Sequence, residues 1–206
     1  MRLSLAALTS LLLFILLTLP VALGLPISGD SELLRAVIGL RNEALTFAIG
    51  LLTFVSSAVV TGVMMAAFTL LAWRRRRKLG AFWAALAYAG SVVSNIVLRV
   101  IVGRLPPDVE AIPNLLPEIH LSFHRFAYPS GHAGTALITF LSLATLVWPH
   151  PKWRWLALSL ACLVILSVGV GRFYLGVHWP SDVLGGYWLA GFWFCLGLMI
   201  KRRYNL

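Results

Sequence analysis

Six long apolar segments constrain the fold of this sequence more than any other feature. Each has roughly the 20 residues that a helix needs to cross the hydrocarbon core of a bilayer. They cover residues 3–23, 46–73, 82–102, 132–148, 155–171 and 183–200. Hydrophobic residues make up 60% of the chain and charged residues 12%, which excludes a disordered chain and a charged coiled coil. Because the segments are continuous and do not alternate in polarity, we predict helices and not a transmembrane β-barrel.

The basic residues between these segments are unevenly distributed, and their distribution predicts the orientation of the chain. Eleven of the 17 Lys and Arg residues lie at the N-terminus or after the second, fourth and sixth segments, whereas all seven acidic residues lie in the other three connections. The eleven are Arg2, Arg74, Arg75, Arg76, Arg77, Lys78, Lys152, Arg154, Lys201, Arg202 and Arg203. Under the positive-inside rule these residues are cytoplasmic. We therefore predict one all-α, polytopic membrane domain over residues 1–206, with six transmembrane helices and both termini in the cytoplasm.

Two stretches near the N-terminus allow alternatives. Residues 1–24 have features of a cleaved signal peptide, but the apolar stretch of 21 residues (3–23) exceeds the usual core of about 7–15 residues. This length favours an uncleaved first helix. Residues 28–45 fit either a short amphipathic helix at the outer interface or an irregular loop.

Net charge and cysteine content exclude two further classes of protein. The net charge of +10 would suggest nucleic-acid binding in a soluble domain, but here the basic residues lie between apolar segments. We therefore predict the lipid bilayer as a partner and no nucleic acid. Cys162 and Cys195 both lie within apolar segments, so the sequence indicates neither a disulfide framework nor a cysteine metal site.

The segment Pro129-Ser130-Gly131-His132 has features that membrane anchoring does not explain. It lies where the long outer connection enters the fourth predicted helix, so unpaired backbone N–H groups and the positive end of the helix dipole favour an anion there. His132 adds a titratable ring in the first turn. The alternative is an N-cap serine beside an incidental histidine, and this segment alone does not decide between the two.

A second segment on the same predicted face contains Gly171, Arg172, His178 and Asp182. A spacing of four residues brings His178 and Asp182 together if the segment is helical, and Pro180 suits an early helical position. Asp182 would then orient one ring nitrogen and leave the other as a nucleophile. The alternative is an interfacial histidine beside an aspartate that stabilises the helix N-terminus, which leaves Arg172 unexplained.

Arginines are concentrated on this predicted outer face. Of the six basic residues outside, four lie in or beside the two segments: Arg99, Arg104, Arg125 and Arg172. Arg99 lies near the end of an apolar segment. A charged residue there either belongs to a functional site or extends its side chain to the membrane interface. Guanidinium groups, helix-start amides and two histidines together indicate a phosphate site.

These residues resemble the motifs of the type 2 phosphatidic acid phosphatase family, whose site is similar to that of the vanadium haloperoxidases. The family has three motifs: Lys, six residues, Arg-Pro; then Pro-Ser-Gly-His; then Ser-Arg, five residues, His, three residues, Asp. The second is complete at residues 129–132, and the third departs only at Gly171, where the family has serine. The predicted topology matches as well, so the resemblance covers most of the chain and implies a membrane lipid phosphatase.

The first motif departs from the family pattern. Arg99 takes the place of its lysine, and the arginine position falls on Pro106, followed by Pro107. One phosphate ligand of the family is therefore missing. We hypothesise that Arg104 or Arg125 substitutes for it.

Carried over by position, the resemblance implies a role for each matching residue. His178 would attack phosphorus to form a phosphohistidine, Asp182 would orient it, and His132 would protonate the leaving oxygen and then activate water. The phosphate oxygens would be held by Arg99, Ser130, the Gly131 backbone N–H and Arg172. This scheme requires no metal or other cofactor.

A site at the outer membrane face suits a substrate whose tail stays in lipid. The resemblance to the family implies four candidate substrates: undecaprenyl diphosphate, phosphatidylglycerophosphate, phosphatidic acid and lipid A phosphates. An outward site in a bacterial inner membrane favours undecaprenyl diphosphate, with dolichyl diphosphate as the eukaryotic counterpart. The connection from Arg104 to Tyr128, which contains four prolines, is expected to form part of the head-group pocket. The sequence does not indicate an oligomeric state.

Two other functions are compatible with parts of the pattern. An anion or lipid transporter without hydrolytic activity would use the intramembrane Arg99, but the polar residues cluster at one face and no polar trail crosses the membrane. A metal hydrolase would use His132, His178 and Asp182 as ligands, but the arginines would repel the cation.

Overall fold

The computed structural model describes residues 2–74, 78–112, 125–147 and 151–203, and the regular structure within them is α-helical. The eight helices are α1 (Arg2–Ala22), α2 (Asp30–Ile38), α3 (Glu43–Val55), α4 (Ala58–Arg74), α5 (Lys78–Val102), α6 (Gly131–Val147), α7 (Pro151–Tyr174) and α8 (Pro180–Arg203). The predicted all-α class is therefore confirmed.

Four stretches of these helices are long and apolar enough to cross a membrane. They are Arg2–Ala22, Phe82–Val102, Lys152–Tyr174 and Pro180–Ile200. The number rises to five if α2 and α3, which meet at an angle of 120°, form one span. Large side chains such as Leu12, Val100 and Leu163 are exposed on the surface, as expected where lipid rather than water surrounds the helices. The described residues thus give four or five candidate spans, and the predicted number of six stays a prediction.

The prediction of one helix over residues 46–73 is wrong. The helix is interrupted at Ser56 and Ser57, between α3 and α4. The Ser56 hydroxyl donates to the Thr53 carbonyl at 2.9 Å, and the Ser57 hydroxyl accepts from the Val60 amide at 3.4 Å. Serine side chains compete in this way for backbone partners and favour a helix end or start over continuation. A count of apolar residues does not detect such a break.

A helix also forms between the first two predicted spans, which supports the helical alternative for residues 28–45. α2 begins at Asp30 and buries Leu34. α3 follows after a short turn, and the Asn42 side chain caps it by accepting from the Leu45 amide at 2.9 Å. α2 packs against both α7 and α8, so this connection belongs to the helix bundle.

The other predicted helices are present with shifted ends. α5 begins at Lys78, four residues before the predicted start, and α7 extends the predicted 155–171 at both ends. α8 begins at Pro180, whose fixed φ suits the first turn of a helix. The predicted end of the fourth helix, residue 148, lies outside the described residues.

α8 packs against α1, α5 and α6, and glycines allow its close approach to α6. A side-chain carbon at Gly186 of α8 would overlap the Ser130 carbonyl oxygen, and one at Gly134 of α6 would lie 3.2 Å from the Gly186 carbonyl oxygen. This packing holds the segment that precedes α6 directly against the start of α8.

Candidate active site

Four helix ends bring Arg99 and the residues of the two predicted segments to one end of the bundle. Arg99 lies in the last turn of α5 and Arg172 in the last turn of α7. His132 lies in the first turn of α6, and Asp182 in the first turn of α8. Arg99 and Arg172 are 73 positions apart in the sequence, and the positive charges of both act on His178.

The loop before α6 is anchored from several directions. The Tyr128 ring is fully buried, and its hydroxyl lies 2.7 Å from the Thr18 hydroxyl of α1. The Pro129 carbonyl accepts hydrogen bonds from Asn95 Nδ2 at 3.2 Å and Arg99 Nε at 3.1 Å. These contacts hold the Pro-Ser-Gly-His segment against α1 and α5.

Two contacts then fix the start of α6 relative to α5 and α8. The Ser130 amide donates to the Asp182 carbonyl at 2.8 Å. Arg99 Nη2 lies 3.6 Å from the position that a side-chain carbon on Gly131 would take. A guanidinium group therefore lies directly beside the first helical amides of α6, where an anion is favoured by the helix dipole.

The charges and the hydroxyl at this point are buried. Arg99 is 7% exposed and Arg172 is 5% exposed. The Ser130 hydroxyl is fully buried and makes no hydrogen bond to any of the described residues. A buried hydroxyl without a partner is costly unless a ligand or water satisfies it. Two buried guanidinium groups, an unsatisfied hydroxyl and helix-start amides fit the oxygens of a phosphate group.

His178 and Asp182 lie together, as their spacing predicted, although His178 precedes α8 and does not lie within it. Nδ1 of His178 is 3.5 Å from Oδ2 of Asp182, beyond the usual hydrogen-bond range of about 2.7–3.2 Å. Catalytic hydrogen bonds are often long without substrate and tighten in the complex. Asp182 is fully buried, and its carboxylate accepts hydrogen bonds from Arg104 and from the Trp179 amide.

The surroundings of His178 keep its ring neutral. Burial is the largest effect that lowers the pKa of His178 well below its usual value of 6.5, and the positive charges of Arg172 and Arg99, with a smaller effect of His132, lower it further. A hydrogen bond with the Ala127 backbone acts in the opposite direction. A neutral imidazole retains the lone pair that a nucleophile needs.

The pH dependence of activity is expected to report this depressed pKa. Protonation inactivates a nucleophilic histidine, so the acid limb of kcat/KM should lie well below pH 6.5. Arg172→Gln removes a positive charge that opposes protonation, so the limb should move to higher pH, whatever activity the variant keeps. The measurement is kcat/KM from pH 4 to pH 9 for both proteins. A limb at the same pH in both would contradict this electrostatic account.

His132 is half-buried in the first turn of α6. Its charge acts on the pKa of His178, so the two rings share one site. This position suits a group that exchanges protons with a substrate oxygen between the two histidines.

The structure places Arg104 and Arg125 differently. Arg104 Nη1 donates to Asp182 Oδ1 at 2.7 Å, and its Nη2 donates to Asp30 Oδ2 at 2.8 Å. The Arg125 side chain is exposed and lies over the Phe126 ring at 4.6 Å. Arg104 is therefore part of the buried polar cluster, whereas Arg125 is not brought into contact with it. Residues 113–124 of the long connection, part of the expected head-group pocket, lie outside the described residues.

Sequence reasoning missed two members of this cluster, Asp30 and Ser181. Asp30 has the appearance of a helix-capping residue in the sequence, but its carboxylate accepts from both the amide and the hydroxyl of Ser181, at 2.8 and 2.6 Å. The only signal was that Asp30 is one of the seven acidic residues in the predicted outer connections. That signal does not identify a partner 151 residues away in the chain.

The glycine that departs from the third motif has a packing explanation. A side-chain carbon at Gly171 would lie 2.9 Å from Ile49 Cγ2 of α3. Real side-chain carbons do not approach so closely, so a serine at this position would require Ile49 to move. The close packing of α3 on α7 thus accounts for the absence of a side chain there.

This chain is similar in sequence to known proteins. The family model described as the PAP2 superfamily matches residues 80–205. An undecaprenyl-diphosphatase of Sulfolobus acidocaldarius is 35% identical over 124 residues, which cover 60% of this chain and 55% of that protein. Phosphatidylglycerophosphatase B of Bacillus subtilis is 31% identical over 119 residues, which cover 56% of this chain and 51% of that protein. The chain thus matches about half the length of these two relatives.

The fold is also similar to that of a solved structure. The crystal structure of a transmembrane PAP2 type phosphatidylglycerolphosphate phosphatase from Bacillus subtilis aligns with a TM-score of 0.79. The alignment covers 96% of both chains at 23% sequence identity. This likeness concerns the arrangement of the helices.

Proposed function

Because the chain belongs to the PAP2 superfamily, as its motifs indicated, we propose that it is an integral membrane lipid phosphatase. The reaction is hydrolysis of a phosphate or diphosphate monoester of a membrane lipid through a phosphohistidine. The observation that carries this proposal is a neutral, buried His178 beside Asp182, facing the positive charges of Arg99 and Arg172.

In the first step, the ring nitrogen of His178 that points away from Asp182 attacks phosphorus. The new nitrogen–phosphorus bond forms as the bond between phosphorus and the lipid oxygen breaks. His132 donates its proton to that leaving oxygen, so the lipid leaves as a neutral alcohol, or as a monophosphate when the substrate is a diphosphate. Asp182 stabilises the positive charge that develops on the His178 ring.

In the second step, His132 accepts a proton from water, and the resulting hydroxide oxygen attacks phosphorus. The nitrogen–phosphorus bond breaks, inorganic phosphate leaves, and both histidines return to their initial states. During both steps the negative charge of the phosphate oxygens is stabilised by four groups: Arg99, Arg172, the Ser130 hydroxyl and the Gly131 amide. This assignment satisfies the otherwise unpartnered Ser130 hydroxyl.

We further propose the finer topology and substrate that the sequence favours. Six spans with both termini in the cytoplasm place this end of the bundle at the outer face of a bacterial inner membrane. A lipid whose tail stays in the bilayer would there present its phosphate to His178. Undecaprenyl diphosphate is our first choice, with phosphatidylglycerophosphate and phosphatidic acid as the next.

The contact of Arg99 with the Pro129 carbonyl favours hydrolysis over transport. Arg99 donates to the Pro129 carbonyl beside the site, which is a fixed position at one end of the bundle and not part of a pathway across it. Among residues 2–74, 78–112, 125–147 and 151–203, no three His, Cys, Asp or Glu side chains are arranged to hold a metal ion.

The proposal is tested by phosphate release from the purified protein in detergent with EDTA present. Undecaprenyl diphosphate, phosphatidylglycerophosphate and phosphatidic acid are compared at equal mole fraction in mixed micelles. We expect release with EDTA present, and the highest kcat/KM with undecaprenyl diphosphate. Faster turnover of another lipid would correct the substrate, whereas no release from any of them by a folded protein would contradict a lipid phosphatase.

A further inference from the structure

Asp182 is held by a buried ionic cluster that reaches from α8 to the short helix α2. Its Oδ1 accepts from Arg104 Nη1 at 2.7 Å, and its Oδ2 accepts from the Trp179 amide at 2.7 Å. The same Arg104 guanidinium binds Asp30, which is 5% exposed, at 2.8 Å. Ser181 lies between the three groups, because its hydroxyl contacts both Arg104 and Asp30 at 2.6 Å.

We propose that Asp30 and Arg104 are positioning residues for the reaction, and that α2 thereby belongs to the catalytic apparatus. This inference rests on the proposed function. Asp182 can orient His178 only if its own carboxylate is fixed, and Arg104 fixes one of its two oxygens. Asp30 in turn fixes Arg104, because a guanidinium held at two nitrogens by two carboxylates loses its freedom to rotate.

This role differs from the one that the sequence suggested, in which Arg104 replaces the missing motif arginine as a phosphate ligand. Both terminal nitrogens of its guanidinium already bind carboxylates, and the guanidinium carbon lies over the Trp179 ring, 5.3 Å from its centroid. Asp30 and Asp182 would repel a phosphate brought to the same guanidinium. Arg104 therefore acts on the phosphate only through Asp182 and His178.

Asp30→Asn is the variant that separates the two roles. It keeps the shape of the side chain, removes one negative charge, and leaves Arg104 and Asp182 as a pair with no net charge, so it disturbs the cluster less than loss of Arg104 would. Its matched control is Glu32→Gln, which removes a carboxylate from the exposed side of the same helix.

We expect Asp30→Asn to lower kcat by about 10- to 100-fold, as is typical when the support of an orienting group is removed. The KM and the inhibition constant of orthovanadate, a phosphate analogue, should change less than about twofold, and Glu32→Gln should match the wild type. If Arg104 instead binds phosphate, Asp30→Asn releases it from a competitor, so kcat is kept and orthovanadate binds more tightly. That result would overturn the inference.

A double-mutant cycle with Asp182→Asn tests whether Asp30 acts through Asp182. If it does, adding Asp30→Asn to Asp182→Asn should cost little more activity, because the group that Asp30 supports is already lost. An equal loss in both backgrounds would overturn the inference, and so would a lower melting temperature with unchanged kcat per folded molecule. If the wild type releases phosphate, His178→Ala does not, and Asp30→Asn is fully active, this inference alone is overturned. If the wild type releases no phosphate, the proposed function is overturned as well.

Discussion

Replacing His178 with alanine should abolish phosphate release, with a loss in kcat of at least about 10⁴-fold, because the proposed mechanism assigns the covalent intermediate to this side chain. The measurement is inorganic phosphate released from undecaprenyl diphosphate in detergent with EDTA present. The void left by the ring lies beside two buried arginines, so substrate binding should persist while chemistry stops.

The control for this variant is Cys162→Ala, which changes an exposed side chain on α7. It should retain wild-type activity and a wild-type melting temperature. The wild type should also acquire a phosphate bound to the protein through nitrogen, stable to base and labile to acid, when the reaction is stopped during turnover. Residual activity of His178→Ala within tenfold of the wild type would rule out a phosphohistidine at this position.

The second largest effect is expected for Asp182→Asn, which should lower kcat by roughly 10²- to 10⁴-fold. An asparagine keeps the size of the side chain, but it has one acceptor oxygen where the carboxylate has two. It therefore loses the Trp179 amide or the Arg104 guanidinium as a partner. It also lacks the negative charge that stabilises an imidazolium at His178.

Because Asp182 does not contact the proposed phosphate position, the KM of Asp182→Asn should stay close to the wild-type value. Asp108→Asn, at an exposed aspartate of the outer connection, is the matched control and should behave as the wild type. A rise in KM with an unchanged kcat would show that Asp182 contributes to substrate binding and not to orientation of the nucleophile.

Much of this molecule was predictable from short stretches of sequence. The length of an apolar segment predicts a helix without knowledge of its neighbours, and the distribution of lysine and arginine predicts an orientation. The Pro-Ser-Gly-His segment and the spacing of His178 and Asp182 predicted both the family and the proximity of these two side chains. Apart from the distribution of lysine and arginine, which is read along the whole chain, each of these signals lies within about 20 consecutive residues.

Features that depend on hydrogen bonds of single side chains were less predictable. Ser56 and Ser57 end one helix and start the next inside an apolar segment that has the composition of one long helix. Hydropathy is an average over many residues, whereas a helix end depends on one or two polar groups that compete for the backbone. For this reason the structure has two helices, α3 and α4, where the second apolar segment predicted one.

The partner of Arg104 depended on tertiary structure alone. The sequence determined that an arginine follows the end of α5 near a predicted phosphate site, and this position is equally compatible with a phosphate ligand. The packing of α2 on α7 and α8 brings Asp30 to within 2.8 Å of the guanidinium, across 74 residues of sequence. A charge interacts with whichever group the fold places nearest, because Coulomb energy depends on distance in space and on burial, and neither quantity is encoded in a local motif.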